Sequence, residues 1–299
     1  MLESTLIQIP IRTTCPYCGV GCGVIATSGG RIAGDPQHPA NAGKRASWDA
    51  ALDALAEGFR RALQTHGPDG VALYVSGQLL TEDYYAANKL AKGFLGTGNI
   101  DSNSRLCMAS AVSGHRRAFG EDIVPGIYAD LEQADLVTLV GSNLAWCHPV
   151  LFQRLMVAKA ARPSMRIVVV DPRRTATCEG ADLHLPLKPG SDVALFLALL
   201  NYCAEHGFSS YSASFQEVLS IAKDTVKAVP GITGLAPETI ATFCHWFAET
   251  PRSVTLFSQG ANQSSAGTDK ANAIINCHLL TGRIGTEGAG PFSITGQPN

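Results

Sequence analysis

The sequence predicts an α/β protein whose mostly parallel sheet is covered by helices on both faces. Three observations predict it. Short uninterrupted apolar runs at Asp135–Ser142, Arg166–Asp171 and Ser253–Ser258 are rich in Val, Leu and Ile, as strands buried on both faces require. Stretches of helical periodicity alternate with those runs, the order that crossovers between parallel strands impose. Several of the strands end in polar or glycine loops, where open parallel sheets place their ligands.

Taken in order, residues 1 to about 44 are rich in Cys, Gly and Pro and show little periodicity, so they form a region of their own. Ser47 is a good N-cap, and Trp48, Leu52, Leu55 and Phe59 follow at helical spacing. Gly70–Gly77 reads as a buried strand, and Glu82–Phe94 as a helix closed by Gly96 and Gly98. The strand at 135 leads into a helix over Pro149–Ala161. After the strand at 166 come a short strand over Asp182–Leu187 and a helix over Asp192–His206. The strand at 253 precedes a helix over Thr268–Thr281.

Composition narrows the function. The chain of 299 residues is 45% hydrophobic and carries 23 basic against 25 acidic residues, net −2. That leaves no electrostatic footprint for nucleic acid or an anionic membrane, and it excludes disorder. The longest apolar run, Val193–Leu200, falls far short of the ~20 residues of a membrane span. The first residues show neither a basic leader nor a twin-arginine pair, so a cytoplasmic location is expected. Nine cysteines then read as metal ligands and buried thiols rather than as a disulfide frame.

Cys15, Cys18 and Cys22 form a CxxCxxxC run among Gly19, Gly21 and Gly23. Glycines let the backbone wrap closely and point N–H groups at sulfur, so three thiolates can converge on one metal centre. An iron–sulfur cluster and a structural zinc with His38 as fourth ligand both satisfy the motif. A cubane needs a fourth cysteine, and the next one is Cys107.

Four loops leave strand ends: Val75–Gln78, Gly141–Asn143, Asp171–Thr175 and Ser258–Gln263. None is a GxGxxG or Walker loop, which excludes the ordinary NAD and ATP motifs. An Asp followed by paired Arg, as at Asp171, Arg173 and Arg174, suits a ribose plus a phosphate. One such loop is easily a solvated turn; four suggest a large phosphate-bearing cofactor lying across the sheet. Cys107 reads either as a core thiol or as a soft ligand for a redox metal. Cys147, Cys178, Cys203, Cys244 and Cys277 are expected to pack in the core, as are His245 and His278.

Several stretches together resemble the large subunit of molybdopterin oxidoreductases of the assimilatory nitrate reductase type. They are TTCPYCGVGCGV, GDPQHPANAG, SGQLLTEDYYAANKL, NSRLCMASAV, GSNLAWCHPV, VVVDPRRT, PGSD, SQGANQSSAGTDKANAIINCHLLTGRIG and GQPN, in family order over nearly all of the chain. The resemblance implies an iron–sulfur domain at 1–44 and two intertwined Rossmann-like α/β domains. One is discontinuous, 45–103 plus 251–299, with the strands at 71 and 253 side by side; the other spans 104–250. Cys15, Cys18 and Cys22 would be three ligands of a 4Fe-4S cluster, and Cys107 the thiolate on molybdenum. Gln78 and Asn103 match pterin contacts. Gly141, Ser142, Asn143 and His148, then Asp171, Arg173, Arg174 and Thr175, then Gly190 and Asp192, match loops holding the guanosine diphosphate arms of Mo-bis(molybdopterin guanine dinucleotide). Gln259, Gln263, Arg283 and Gln297 look like further cofactor contacts.

The implied reaction is oxygen-atom transfer from nitrate, giving nitrite, with electrons from a donor protein or reductase subunit. In the family's formate dehydrogenases a His follows the metal-binding residue, whereas Met108 follows Cys107 here. A formate-oxidising relative and a zinc-holding, non-catalytic fragment are the rivals. Two departures are evident. The family's fourth cluster cysteine and the following Lys are missing, as if a few tens of residues were deleted near 42–45. The sequence also stops at Gln297-Pro298-Asn299, mid-family, before the expected β-barrel, so impaired turnover is expected.

Overall fold

A computed structural model describes residues 11–14, 23–26, 32–36, 47–77, 79–103, 107–209 and 213–294. The chain forms two compact units, Met1–Ser104 and Arg105–Asn299. In the first, strands β1 (Ile11–Thr14), β2 (Gly23–Ala26) and β3 (Ile32–Gly34) make an antiparallel sheet in that order. Helix α1 (Trp48–His66) begins where its sequence signals it, with Ser47 Oγ accepting from the Ala50 amide at 3.2 Å. Its apolar positions Trp48, Leu52 and Leu55 are exposed, so the cap and the local helical preference mark this helix rather than burial. Strands β4 (Leu73–Val75) and β5 (Ile100–Ser102) pair in parallel. Between them α2 (Thr81–Asn88) runs on as a π-helical stretch, Lys89–Leu95, so the expected helix changes winding part-way.

The second unit holds the site. Its five strands are β6 (Leu136–Val140), β7 (Arg166–Val170), β8 (Leu183–Leu185), β9 (Ser253–Phe257) and β10 (Gly290–Ser293). They lie in the order β10-β9-β6-β7-β8, and every pairing is parallel. The chain steps outward from β6 to β8, then returns to the other side of β6 for β9 and β10. That is the doubly wound order, and the reversal falls between β6 and β9.

The longer helices are α3 (Ala109–Phe119), α4 (Pro149–Ala161), α5 (Asp192–Glu205), α6 (Ala213–Thr225), α7 (Pro237–Glu249) and α8 (Gly267–Leu280). Alternate strand residues face opposite sides. Leu136, Val140, Val168, Val170 and Phe257 join Leu195, Leu199, Phe243, Phe247 and Ile274 in one core. Val137, Leu139, Ile167, Val169, Val254 and Leu256 join Leu144, Leu151 and Leu155 in the other. Burial on both faces explains why β6, β7 and β9 read as unbroken apolar runs.

One expectation is corrected here. The strand at 253 does not lie beside the strand at 71: β9 sits between β6 and β10, and β4 pairs with β5. All five residues of β9 are buried, which an interior position in a doubly covered sheet satisfies. By contrast, β4 is short and exposes Tyr74. Strand β10 adds a fifth strand for which the sequence reading made no expectation; Pro291 is tolerated in it because β10 is an edge strand.

Candidate functional site

The reversal between β6 and β9 opens a crevice beyond their carboxyl ends, and glycine builds its floor. Gly141, after β6, has φ 54°, and its amide donates to Val170 O at 2.9 Å. Its carbonyl accepts from the Gly260 amide, in the loop after β9, at 3.0 Å. A Cβ on Gly141 would lie 2.4 Å from Ala261 N, and one on Gly260 would lie 2.6 Å from Gly141 Cα. The two loops therefore touch backbone to backbone, which only glycine permits.

A cavity of about 270 Å³ lies over this floor, lined by Gly141, Asp171, Arg173, Gly190, Asp192 and Lys270 among others. Asp171 is buried, and its Oδ1 accepts from the Arg173 amide at 2.8 Å, closing the turn after β7. That turn leaves the Arg173 and Arg174 side chains exposed. Asp192 opens α5, and its Oδ2 pairs with Lys270 Nζ, in the first turn of α8, at 2.8 Å. Ser142 Oγ, Thr175 Oγ1 and Asn262 Oδ1 are buried at three strand ends without a hydrogen-bond partner. Asn143 has a bracing role instead: its Oδ1 accepts from Thr177 Oγ1 at 3.0 Å, and Thr177 Oγ1 accepts from the Ala145 amide at 3.1 Å.

The loop after β9 also grips Cys107 and Met108. Gln263 Nε2 donates to Cys107 O at 3.1 Å and lies 3.2 Å from Cys107 Sγ. Met108 Sδ lies 3.5 Å from Asn262 Nδ2 and 3.9 Å from Gln259 Nε2. The sequence-predicted residues Cys107, Met108, Gln259 and Gln263 thus meet at the carboxyl end of β9, at one end of the sheet with the glycine floor.

Other predicted residues fall elsewhere. Arg283 is corrected: it is 4% exposed, and its Nη2 donates to Phe247 O at 2.7 Å and Thr250 O at 2.8 Å, with the guanidinium over the Phe247 ring. Its role is to cap the end of α7, at the amino end of the sheet, where burial pulls its pKa down to about 10. His148 lines a different cavity, with Tyr128 and Arg154. In the first unit Asn103 Oδ1 accepts from the Gly77 amide at 2.7 Å and so joins the turn after β4 to the end of β5. Cys15, Cys18, Cys22, His38, Gln78 and Gln297 lie outside the described residues.

Of the cysteines expected in the core, Cys178, Cys203, Cys244 and Cys277 are buried. Burial pushes the Cys203 thiol up to about 11 and raises Cys244 and Cys277 as well, so these thiols are inert. Cys147 and His245 are corrected to exposed positions, each on the outward side of its helix. His278 is buried, its Nε2 2.8 Å from Thr255 Oγ1, and burial keeps it neutral by lowering its pKa well below the usual value. Lys270 was missed. The available signal was a cation in the first turn of a helix, the wrong end of the macrodipole, which demands a carboxylate nearby.

Comparison with known proteins fits this geometry. A family model described as molybdopterin oxidoreductase matches residues 38–298, and one described as molybdopterin oxidoreductase Fe4S4 domain matches 11–45. The chain belongs to the molybdopterin oxidoreductase family. It therefore carries the regions that hold a molybdenum–pterin group and an iron–sulfur cluster in that family. A nitrate reductase of Klebsiella oxytoca is 53% identical over 96% of this chain and 37% of its own length. A nitrate reductase of Synechocystis is 39% identical, matching 100% of this chain and 49% of its own length. A periplasmic nitrate reductase of Desulfovibrio desulfuricans is 36% identical over 97% of the chain and 45% of its own length. The chain thus spans less than half the length of these relatives. The Synechocystis match runs over 347 positions against 299 residues here, so that relative has internal segments this chain lacks. Acetylene hydratase from Pelobacter acetylenicus shares the fold, with TM-score 0.51 and 23% identity over 93% of this chain and 44% of its own.

The described residues fit the family's pterin group. The glycine floor admits close approach of a large ligand, and three buried polar atoms at the strand ends have no partner of their own.

Proposed function

We propose that the chain is part of an assimilatory, cytoplasmic nitrate reductase that takes its electrons from a donor protein or reductase subunit. The observation that carries this reading is Cys107, held by Gln263 at the carboxyl end of β9 and followed by Met108 rather than by a histidine. When bound, Mo-bis(molybdopterin guanine dinucleotide) supplies two-electron oxygen-atom transfer from nitrate, and a 4Fe-4S cluster supplies the electrons.

In this reading the chain's own residues bind and orient. The Cys107 thiolate is the protein's ligand to molybdenum, and Gln263 fixes its sulfur with one N–H. Met108 sets an apolar thioether beside that ligand, where a formate dehydrogenase has an ionisable ring. The exposed Arg173 and Arg174 meet diphosphate oxygens, and Ser142 and Thr175 give hydroxyl donors. Cys15, Cys18 and Cys22 hold the cluster, and the missing fourth cysteine leaves turnover impaired.

The test is nitrite formation from nitrate with a reduced dye. The chain should give slow, molybdenum-dependent nitrite formation, and Cys107→Ser should give none. Because Cys107 is half-exposed, that substitution should change stability by less than about 1 kcal/mol. Formate-dependent dye reduction without nitrate activity would replace this reading with the formate dehydrogenase one. Rapid nitrite formation would overturn the impairment.

A further inference from the structure

Helix α1 (Trp48–His66) buries none of its residues, yet its sequence is patterned for burial on one side. Trp48, Leu52, Leu55, Phe59 and Ala62 recur at alternating steps of four and three. That spacing aligns them in one narrow stripe, the kind of seam along which two helices pack. The stripe is open to solvent: Trp48 is 83% exposed, and Leu52 and Leu55 are each more than half exposed. A single exposed leucine needs no explanation, but three large apolar side chains aligned along one helix mark an interaction surface.

Size and charge say which partner fits. Asp49, Asp53 and Glu57 fall in the first part of the helix, and Arg60 and Arg61 in the second. Asp53 follows Asp49 by four residues and Arg60 follows Asp53 by seven, so these three line the same flank of the stripe. Laid parallel and in register against a copy of itself, α1 would set each aspartate beside its like. An antiparallel pair about a two-fold axis at Leu55 brings the same flanks together end for end. Trp48 then stands over the small Ala62 of the second copy, and Arg60 comes level with the turn that carries Asp49 and Asp53. The two-fold repeats each of these pairings. Arg60 is bonded to Glu57 on its own helix, but both side chains are exposed, and a guanidinium has N–H groups for a second carboxylate.

We propose that α1 is a self-association surface, on which two copies of the chain pair antiparallel through the apolar stripe while Asp53 and Arg60 set the direction. One stripe per copy is an interface at the small end of the specific range, so the dimer forms and dissociates with concentration. Added salt weakens it, because the flanking charges are exposed and screened.

The test is sedimentation of the 299-residue chain over a concentration series, with circular dichroism as the check on folding. The parent chain should pass from monomer to dimer as its concentration rises. Leu52→Gln with Leu55→Gln keeps helix propensity and should weaken the dimer at least about tenfold with the spectrum unchanged. Arg60→Glu should weaken it as well, and adding Asp53→Lys to the same chain should recover most of the loss. A chain that stays monomeric throughout, its α1 face open or taken by a different protein, would overturn the proposal. So would a dimer that the two glutamines leave unchanged. A dimer weakened by the glutamines but indifferent to both charge changes would overturn the antiparallel pairing.

Discussion

Gly141→Ala destabilises the second unit by about 3 kcal/mol or more and abolishes nucleotide binding, because two costs fall on one atom. At φ 54° a residue with a Cβ is strained by about 1 kcal/mol. The new methyl also meets Ala261 N at 2.4 Å and Gly260 C at 2.5 Å, backbone atoms that cannot swing aside, and overpacking of this kind costs about 1–3 kcal/mol or more. Relief requires the loops after β6 and β9 to part, which destroys the crevice floor. Gly190→Ala is the control. Gly190 also has positive φ, 88°, but nothing lies within 4 Å of its ideal Cβ, so only the strain of about 1 kcal/mol remains. Urea unfolding of both variants checks this; equal, small losses would show that the loops do not meet as described.

Arg283→Met costs about 3–5 kcal/mol and leaves nucleotide affinity unchanged in the protein that remains folded. Two carbonyls at the end of α7 lose their donor, at about 1–3 kcal/mol each, and the contact with the Phe247 ring is lost as well. The residue stands beyond the far end of α8, whose 14 residues span roughly 20 Å from the crevice. A sharp loss of nucleotide affinity with little loss of stability would restore Arg283 as a ligand contact. Thermal unfolding and GDP titration of the same preparation separate the two roles.

Much of the second unit is legible in the sequence because burial on both faces leaves an unmistakable record. The strands at 136, 166 and 253 and the helices at 149, 192 and 267 all follow from apolar runs, caps and glycines. Strand neighbours leave no such record, since β9 is equally apolar beside β6 or β4; order is decided by how the crossovers pack, which is non-local. Likewise the turn containing Arg283 is polar and glycine-rich, as a ligand loop is, and only the fold shows its guanidinium turned inward onto Phe247 O. The place of Gln259 and Gln263 at a carboxyl strand end was legible because they directly follow a buried strand; their contacts with Met108 and Cys107 were not. For Lys270 the sequence holds only the cation in a helix's first turn, which does not say what it pairs with, because its partner Asp192 lies on another helix and no local pattern joins them.

The most direct measurement is the molybdenum and the acid-released GMP per chain, on protein purified anaerobically from a host that makes the pterin nucleotide. If the crevice between β6 and β9 holds the cofactor with Cys107 as its protein ligand, the chain should carry molybdenum near one and about two GMP per molybdenum, and Cys107→Ser should lose the metal. A folded chain with neither molybdenum nor GMP, holding zinc or nothing at its cysteines, would contradict the account and leave the family resemblance as ancestry alone.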